Sequence, residues 1–314
     1  MNSPYRTGLC RTVRSLAYAA GATALAGLAL ATGTAPAAAT SATSATSATS
    51  ATDGQVYVAL GDSMASGPLI PLPTGPLACA RSTNNYPHEL AARLNVATFR
   101  DVTCSGADTK DMTEPQKLSI GGIPAGEAPP QFNALSADTT LVTLTIGGND
   151  AGLVGIAQSC MTLDPTAKPC KEKYTEGGVD QVAQRVDSVA PKLAAVLDGI
   201  RAKAPHARVV VAGYGLYIKP GGCWPYQPVL GVDADYLTAA VDRLNGVMRT
   251  QSAAHGAEFV DLATPSKGHD ACQLPGAKWI EGYVPTAPAA PLHPNQQGEW
   301  NYARLIGAHL GTGS

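Results

Sequence analysis

The sequence predicts an α/β fold, a three-layer α/β/α sandwich built on a central parallel sheet of about five strands. Two observations predict it. Short apolar runs alternate with longer amphipathic stretches along most of the chain, and the apolar runs are continuous instead of alternating with polar residues. Continuous apolar strands separated by helices are typical of a parallel sheet that is covered on both faces. Right-handed crossovers between such strands place the helices in two outer layers.

The elements follow one another in regular order. The apolar runs predict five strands, at residues 56–60, 97–102, 140–146, 208–212 and 257–260. The amphipathic stretches predict four helices, at residues 86–94, 178–204, 235–254 and 296–309. Residues 55–314 therefore form one domain by length, and it is long enough to bury a substantial core.

Residues 1–39 have the three parts of a secretory signal peptide. Three arginines precede an apolar stretch at residues 16–31, and small residues ending at Ala39 provide a cleavage site. A retained membrane anchor is the alternative, but the stretch is short for a bilayer span and poor in large side chains. Residues 40–54, a Ser/Ala/Thr-rich leader, are predicted to be disordered because they cannot bury a core. We therefore expect an extracellular protein, cleaved near Ala39.

The charge balance argues against nucleic acid as a partner. Removing the three arginines of residues 1–39 leaves 19 of the chain's 22 basic residues, against 24 acidic ones. There is no basic run and no aromatic platform for bases. No heptad run or exposed apolar stripe stands out either, so we expect a monomer with no stable membrane anchor. The sequence also predicts no cofactor and no metal.

Six cysteines follow the signal peptide. An even number in an exported chain indicates disulfides, and six cysteines allow fifteen pairings. The sequence alone does not choose among them. We favour pairing of neighbours along the chain, because it does not force distant parts together. A zinc site is the competing interpretation, but the chain has no C-x-x-C and no close Cys/His cluster. The favoured pairs are Cys79–Cys104, Cys160–Cys170 and Cys223–Cys272.

The turns that follow the predicted strands share one edge of the sheet, where ligands of open α/β folds bind. Ser63 follows the first strand, Gly106 the second and Asn149 the third. A hydroxyl, a glycine that exposes its N–H group and a side-chain amide at one edge favour chemistry on an ester. Such chemistry needs a nucleophile and oxyanion donors that converge on one point. Tyr214, after the fourth strand, is assigned no part.

A serine hydroxyl needs a base, and His293 is the best-placed histidine. It lies just before the last predicted helix, and a proline stands on its C-terminal side and another two residues before it. The two prolines fix a loop that can hold the ring at the edge of the sheet. Four other histidines fall within or near the ends of predicted helices, which favours solvated or capping roles. His269, in a loop near Cys272, is the serious rival.

These four groups resemble the sequence blocks of the SGNH hydrolases, the GDSL esterase and lipase family. The matching segments, in the family order, are Gly61-Asp62-Ser63, Gly106, Gly147-Gly148-Asn149-Asp150 and His293. They span nearly the whole chain after the signal peptide. The cysteine pattern also resembles the secreted bacterial branch, in which neighbouring cysteines pair. The resemblance implies a flavodoxin-like SGNH hydrolase fold and an esterase or lipase activity.

The resemblance also implies a role for each block. Ser63 is the nucleophile and His293 its general base, while the Ser63 and Gly106 N–H groups and the Asn149 side chain hold the oxyanion. The reaction is transfer of an acyl group to water. Asp62 is expected to bond to neighbouring backbone, and Asp150 to brace the Asn149 turn.

One position departs from the family pattern. The last block is usually Asp-x-x-His, and here Ala290 stands where the aspartate is expected. Some secreted members replace the acid with a main-chain carbonyl. We therefore expect a Ser-His dyad oriented by a carbonyl near Ala290 or Pro291, and we assign it to Ala290. The alternative is an acid from elsewhere, either Asp270 or Asp261.

The sequence determines the substrate less well than the reaction. Two apolar loops, at residues 64–78 and 214–230, either receive an acyl chain or pack as ordinary loops. We expect carboxylic or lipid esters, with carbohydrate deacetylation as the alternative. A non-catalytic secreted binding module has no need of all four blocks, and an α/β-hydrolase elbow needs glycine where Ala65 stands. The large apolar residues of the two loops are Leu69, Ile70, Leu72, Leu77, Tyr217, Trp224 and Tyr226.

Overall fold

Two sheets are present in the computed structural model, which describes residues 54–312. Their strands are β1 (Val56–Gly61), β2 (Thr98–Asp101), β3 (Gln116–Ile120), β4 (Ile123–Ala128), β5 (Leu141–Thr145), β6 (Arg208–Ala212) and β7 (Glu258–Val260). The central sheet has the order β2-β1-β5-β6-β7, and each neighbouring pair is parallel. β3 and β4 form a separate antiparallel hairpin. The predicted parallel sheet of five strands is confirmed.

Helices cover both faces of this sheet. They are α1 (Ser63–Ser66), α2 (Tyr86–Leu94), α3 (Leu153–Ser159), α4 (Cys170–Tyr174), α5 (Gln181–Asp187), α6 (Val189–Lys203), α7 (Gly231–Ala254) and α8 (Gln296–Leu310). α2 packs against α8, and α6 packs against α7. Because β2 and β6 lie on opposite sides of the β1–β5 pair, right-handed crossovers place the two helix pairs on opposite faces. The predicted three-layer α/β/α sandwich is confirmed.

The predicted signal peptide and residues 40–53 of the predicted leader lie outside the described residues. Among residues 54–312, no helix is both long enough and apolar enough to cross a membrane.

The elements match the predictions closely where the apolar pattern is strong. All five predicted strands are present, and α2 has the predicted bounds. The prediction of one helix at residues 178–204 is wrong, because α5 ends at Asp187 and α6 begins at Val189. Pro191 explains the break, since its nitrogen has no hydrogen to donate to the carbonyl of Asp187 four residues earlier. The hairpin and the short helices α3 and α4 were not predicted.

β1 is fully buried in the core and leads to the candidate site. All six of its residues are buried, and the Tyr57 hydroxyl shares a 2.7 Å hydrogen bond with Thr143 Oγ1 on β5. The chain continues from β1 to β2 on one side, while β5 lies on the other. In open α/β sheets, a ligand crevice forms at the carboxyl ends of strands where the strand order reverses in this way.

Three disulfides join the six cysteines in the favoured sequential pairs. Cys79–Cys104 ties the loop after β1 to the turn after β2. Cys160–Cys170 ties the end of α3 to the start of α4, and Cys223–Cys272 ties the loop after β6 to the loop after β7. All three therefore cross-link segments that follow the carboxyl ends of the central strands.

Candidate active site

Ser63 is the first residue of α1, directly after β1. Gly61 precedes the turn with φ +146°, and a Cβ atom there would lie 2.6 Å from the Thr145 carbonyl oxygen, so only glycine fits. Asp62 is the N-cap of α1 and accepts a 2.9 Å hydrogen bond from the Met64 N–H group. The turn holds Ser63 almost buried at the carboxyl edge of the sheet.

His293 reaches Ser63 from a loop 230 residues further along the chain. Its Nε2 lies 2.7 Å from Ser63 Oγ, and its Nδ1 lies 2.7 Å from the Pro291 carbonyl oxygen. Because a carbonyl oxygen only accepts hydrogen bonds, Nδ1 carries the hydrogen in the neutral ring. Nε2 is then left with its lone pair facing the serine hydroxyl, which is the arrangement that a general base needs.

The carbonyl that orients His293 belongs to Pro291, so the assignment to Ala290 is wrong. Leu292 has φ +62°, and this left-handed turn folds the ring of His293 back onto the carbonyl two residues earlier. The backbone of Ala290 serves another contact, since its N–H group donates to the Pro68 carbonyl in the loop after β1.

Burial sets the protonation of His293. His293 is 8 % exposed. Burial lowers the pKa of its ring below the ordinary histidine value of 6.5, although the hydrogen bond to the Pro291 carbonyl acts in the opposite direction. A buried imidazole avoids the charged form because water no longer solvates it. The ring is therefore neutral at neutral pH and is able to accept a proton.

The alternative acids, Asp270 and Asp261, and the rival base, His269, make hydrogen bonds to other groups. Asp270 accepts hydrogen bonds from the Cys272 N–H group and the Gln273 side chain. Asp261 caps the following turn through the N–H groups of residues 263 and 264. His269, the rival base, holds the Ala277 carbonyl with Nδ1 and stacks on a tryptophan ring. Within residues 54–312, no carboxylate bonds to His293.

Two backbone amides and one side-chain amide stand where oxyanion donors are expected. Within residues 54–312, the N–H groups of Ser63 and Gly106 donate to no protein acceptor. The Asn149 side chain donates to the Ala107 carbonyl at 2.7 Å. An amide nitrogen carries two hydrogens, so one remains for a ligand. A hydrogen bond between Ser66 and Ser105 ties the Gly106 turn to α1.

The two aspartates that flank the site brace its turns. Asp150 accepts from both the N–H group and the hydroxyl of Thr109, which joins the Asn149 turn to the segment after Gly106. Asp62 accepts from Met64 and also from the hydroxyl of Tyr214 at 2.5 Å. Burial raises the pKa of Asp62 to about 7, although the bond from Tyr214 acts in the opposite direction. Sequence reasoning gave Tyr214 no role, because its partners become neighbours only when the sheet forms.

Ser63, Asn149 and His293 line one cleft of about 930 Å³, including its open mouth. Its walls are mostly apolar, with Leu153, Val154 and Ala157 of α3 facing Leu237 and Val241 of α7. Of the two apolar loops, the one at residues 214–230 supplies seven lining residues, Tyr214 and Tyr217 among them, whereas the one at residues 64–78 supplies Met64. Ile70 is buried away from the cleft, and the remaining large apolar residues named for these loops do not line it and are at least 37 % exposed: Leu69, Leu72, Leu77, Trp224 and Tyr226. The wall formed by α3 was not predicted, although the apolar segment at residues 153–157, after Gly152, could have indicated it.

Within the described part of the chain, no three His, Cys, Asp or Glu side chains are grouped so as to hold a metal ion. The cleft residues described above supply a hydroxyl, an imidazole and a side-chain amide.

Comparison with known proteins shows the family to which the chain is similar. The model of the GDSL-like lipase/acylhydrolase family matches residues 59–300. Lipase 2 of Streptomyces coelicolor is 38 % identical over 253 residues, which cover 77 % of this chain and 81 % of that protein. The crystal structure of phospholipase A1 from Streptomyces albidoflavus NA297 superposes with a TM-score of 0.66, at 31 % identity, over 81 % of this chain and 98 % of that one. An extracellular lipase from Streptomyces rimosus gives a TM-score of 0.63, at 28 % identity, over 81 % and 99 % of the two chains.

Proposed function

Because this chain belongs to the GDSL-like lipase/acylhydrolase family and is a carboxylic ester hydrolase, we propose that Ser63 is its nucleophile and His293 its general base. The observation that carries the proposal is the 2.7 Å contact between Ser63 Oγ and His293 Nε2 inside an apolar cleft. A positioned base of this kind is what turns a weakly nucleophilic hydroxyl into an effective one.

The acyl-enzyme forms in two steps. Ser63 Oγ attacks the ester carbonyl carbon while His293 Nε2 takes the hydroxyl proton, and the carbonyl oxygen becomes an oxyanion. The intermediate then collapses, the bond to the leaving alcohol breaks, and His293 gives that alcohol its proton. Water repeats the sequence on the acyl-enzyme. His293 accepts the water proton and returns it to Ser63 Oγ as the carboxylic acid leaves.

The oxyanion is held by the N–H groups of Ser63 and Gly106 and by the Asn149 side chain. Support for this part comes from the free N–H groups and from the contact that aims Asn149 without using both of its hydrogens. Donors fixed before the reaction stabilise developing charge without reorganising, and the loss of one such donor typically costs about 100- to 1,000-fold in kcat.

The base works as a dyad with a main-chain carbonyl. The Pro291 oxygen fixes the tautomer and orientation of His293 in the way that a carboxylate does in a triad. It carries no full charge, however, so it stabilises the imidazolium less than an aspartate would.

The acyl part of the ester is placed in the apolar cleft between α3 and α7. The lining favours an acyl or lipid ester over the alternative, a small acetyl group on a carbohydrate, because a sugar needs many polar partners and these walls are mostly apolar. The relatives named above are a lipase, a phospholipase A1 and an extracellular lipase, which agrees with this choice.

The protein is proposed to act outside the cell as a monomer with no stable membrane anchor. Residues 1–39 serve as the signal peptide, residues 40–54 as the leader and residues 55–314 as the hydrolase domain. The three disulfides support export, because such bonds persist in oxidising compartments.

Labelling with a fluorophosphonate tests the nucleophile. We expect the wild-type protein to be labelled and Ser63→Ala to be unlabelled. The labelling rate of His293→Ala should fall by at least about 1,000-fold. Ser252→Ala is the matched control, since Ser252 is fully buried on α7 and does not line the cleft. It should label like the wild type. Labelling of folded Ser63→Ala at the wild-type rate would disprove the assignment.

A further inference from the structure

The hydroxyl of Tyr214 bridges two turns of the site. It donates to Asp62 Oδ2 at 2.5 Å, and it accepts from the Gly148 N–H group at 2.8 Å. Asp62 lies in the turn after β1, and Gly148 lies in the turn after β5. One oxygen atom of a third segment, the loop after β6, therefore holds the turns after β1 and β5 at a fixed separation.

The position of this hydroxyl is set from outside the two turns. Tyr214 is 3 % exposed, and Asn245 of α7 holds both of its backbone groups. Asn245 Oδ1 accepts from the Tyr214 N–H group at 2.8 Å, and Asn245 Nδ2 donates to the Tyr214 carbonyl at 2.9 Å. α7 thus fixes the backbone of Tyr214, and the Tyr214 hydroxyl in turn fixes the two turns of the site.

The contact between Tyr214 and Gly148 is tight. A Cβ atom at this position would lie 3.0 Å from the Tyr214 hydroxyl oxygen and 3.2 Å from the ring carbon that bears it. The phenol therefore lies directly against the peptide that precedes Asn149. A shift of the tyrosine hydroxyl would be transmitted to that peptide, because there is no space between them to absorb it.

Each group that the hydroxyl holds stands one residue before a proposed oxyanion donor. Asp62 precedes the N–H group of Ser63, and Gly148 precedes the side chain of Asn149. Donors stabilise an oxyanion only within hydrogen-bond range of a single point, so the two turns must keep their separation. We propose that Tyr214 is a positioning residue that holds the Ser63 and Asn149 donors at the separation required by the tetrahedral intermediate. This inference rests on the proposed function of Ser63 and Asn149.

Tyr214→Phe tests the bridge, because it removes only the hydroxyl and keeps the ring in the cleft wall. We expect kcat to fall about 10- to 100-fold, less than or comparable to the loss of a whole donor. KM should stay within about twofold, since ground-state contacts are kept. Affinity for an alkyl boronic acid, which becomes a tetrahedral anion on Ser63, should fall by about the same factor as kcat/KM.

Tyr236→Phe is the matched control. Tyr236 is also a nearly buried tyrosine whose hydroxyl donates to an aspartate, Asp180, at 2.7 Å, but it does not line the cleft. It should lose stability without losing kcat. A merely structural role for Tyr214 predicts the same behaviour for both variants.

The outcomes separate the inference from the function on which it rests. If folded Tyr214→Phe keeps kcat and boronate affinity within about twofold of the wild type while Ser63→Ala is inactive, the bridge is unimportant and the inference is wrong. A loss that appears only in KM would also overturn it. If Ser63→Ala itself remains active, the proposed function fails, whatever the result at Tyr214.

Discussion

A single carbonyl oxygen orients His293, the proposed general base. The Pro291 oxygen fixes the tautomer of His293 but brings no negative charge into the cleft, and burial keeps the pKa of the ring below 6.5. A base that is neutral at lower pH remains competent there, because only the neutral ring accepts a proton from Ser63. An enzyme with this site therefore keeps its base active in mildly acidic surroundings.

The pH profile of kcat/KM tests this reasoning. We expect one acid limb with its midpoint below pH 6.5, since the lowered pKa of His293 shifts the loss of the neutral form to lower pH. The measurement uses an ester whose leaving group does not titrate in this range. Asp62→Asn serves as the control for the carboxyl next to Ser63, whose pKa burial raises to about 7. A wild-type midpoint at 7 that disappears in Asp62→Asn would contradict the assignment to His293.

At this scale the sequence was informative about chemistry and silent about geometry. Ser63 and His293 were found because each follows or precedes a strongly patterned element and belongs to a recognisable block. Pro291 was not chosen over Ala290, because the left-handed φ of Leu292 that selects it is unusual for leucine and has no sequence signal. The bridge through Tyr214 depends on three segments that meet only in the folded sheet.

At the scale of elements, periodicity predicted whatever is long or fully buried. The five strands and the helices α2 and α8 were found because their apolar positions repeat over several turns or run without interruption. α3 was missed because its seven residues form too short a pattern. That omission matters for the substrate, since α3 and α7 form two of the apolar walls of the cleft.

The cleft between α3 and α7 predicts a preference for acyl chains longer than acetyl. Each buried methylene is worth up to about 0.8 kcal/mol, roughly a fourfold gain in kcat/KM. We expect octanoyl esters to exceed acetyl esters by at least about tenfold in kcat/KM. Val154→Trp places a bulky ring in one wall and should remove most of this difference while acetyl esters are still hydrolysed.

Val179→Trp provides the control for the added ring. Val179 is 45 % exposed between α4 and α5 and does not line the cleft, so its replacement should leave the chain-length series unchanged. Turnover of an acetylated glycan with no turnover of octanoyl esters would reverse the substrate assignment in favour of carbohydrate deacetylation.

At the scale of the whole molecule, the site exists because one sheet brings distant segments to one edge. Ser63 and His293 are 230 residues apart in sequence, and the segments between them supply the other donors. The three disulfides cross-link loops at the same edge, so the restraint that each provides lies close to the cleft. The sequence predicted this edge because the carboxyl ends of parallel strands must coincide.

Truncation from the N-terminus tests how much of the chain the hydrolase domain requires. The Gln55 carbonyl accepts from the N–H groups of Ala97 and Thr98, and β1, which follows, pairs with strands on both sides. A protein of residues 55–314, produced under oxidising conditions, should match one of residues 40–314 in kcat and within about 2 °C in Tm. A protein of residues 59–314 lacks Tyr57 and Val58, which are fully buried, and half of β1. The loss of these side chains alone costs several kcal/mol, about the stability of a whole domain, so this protein should not fold.

Circular dichroism and ester turnover measure the folding and the activity of both truncated proteins. Failure of residues 55–314 to fold would show that the leader is part of the domain, and an active protein of residues 59–314 would show that β1 is dispensable.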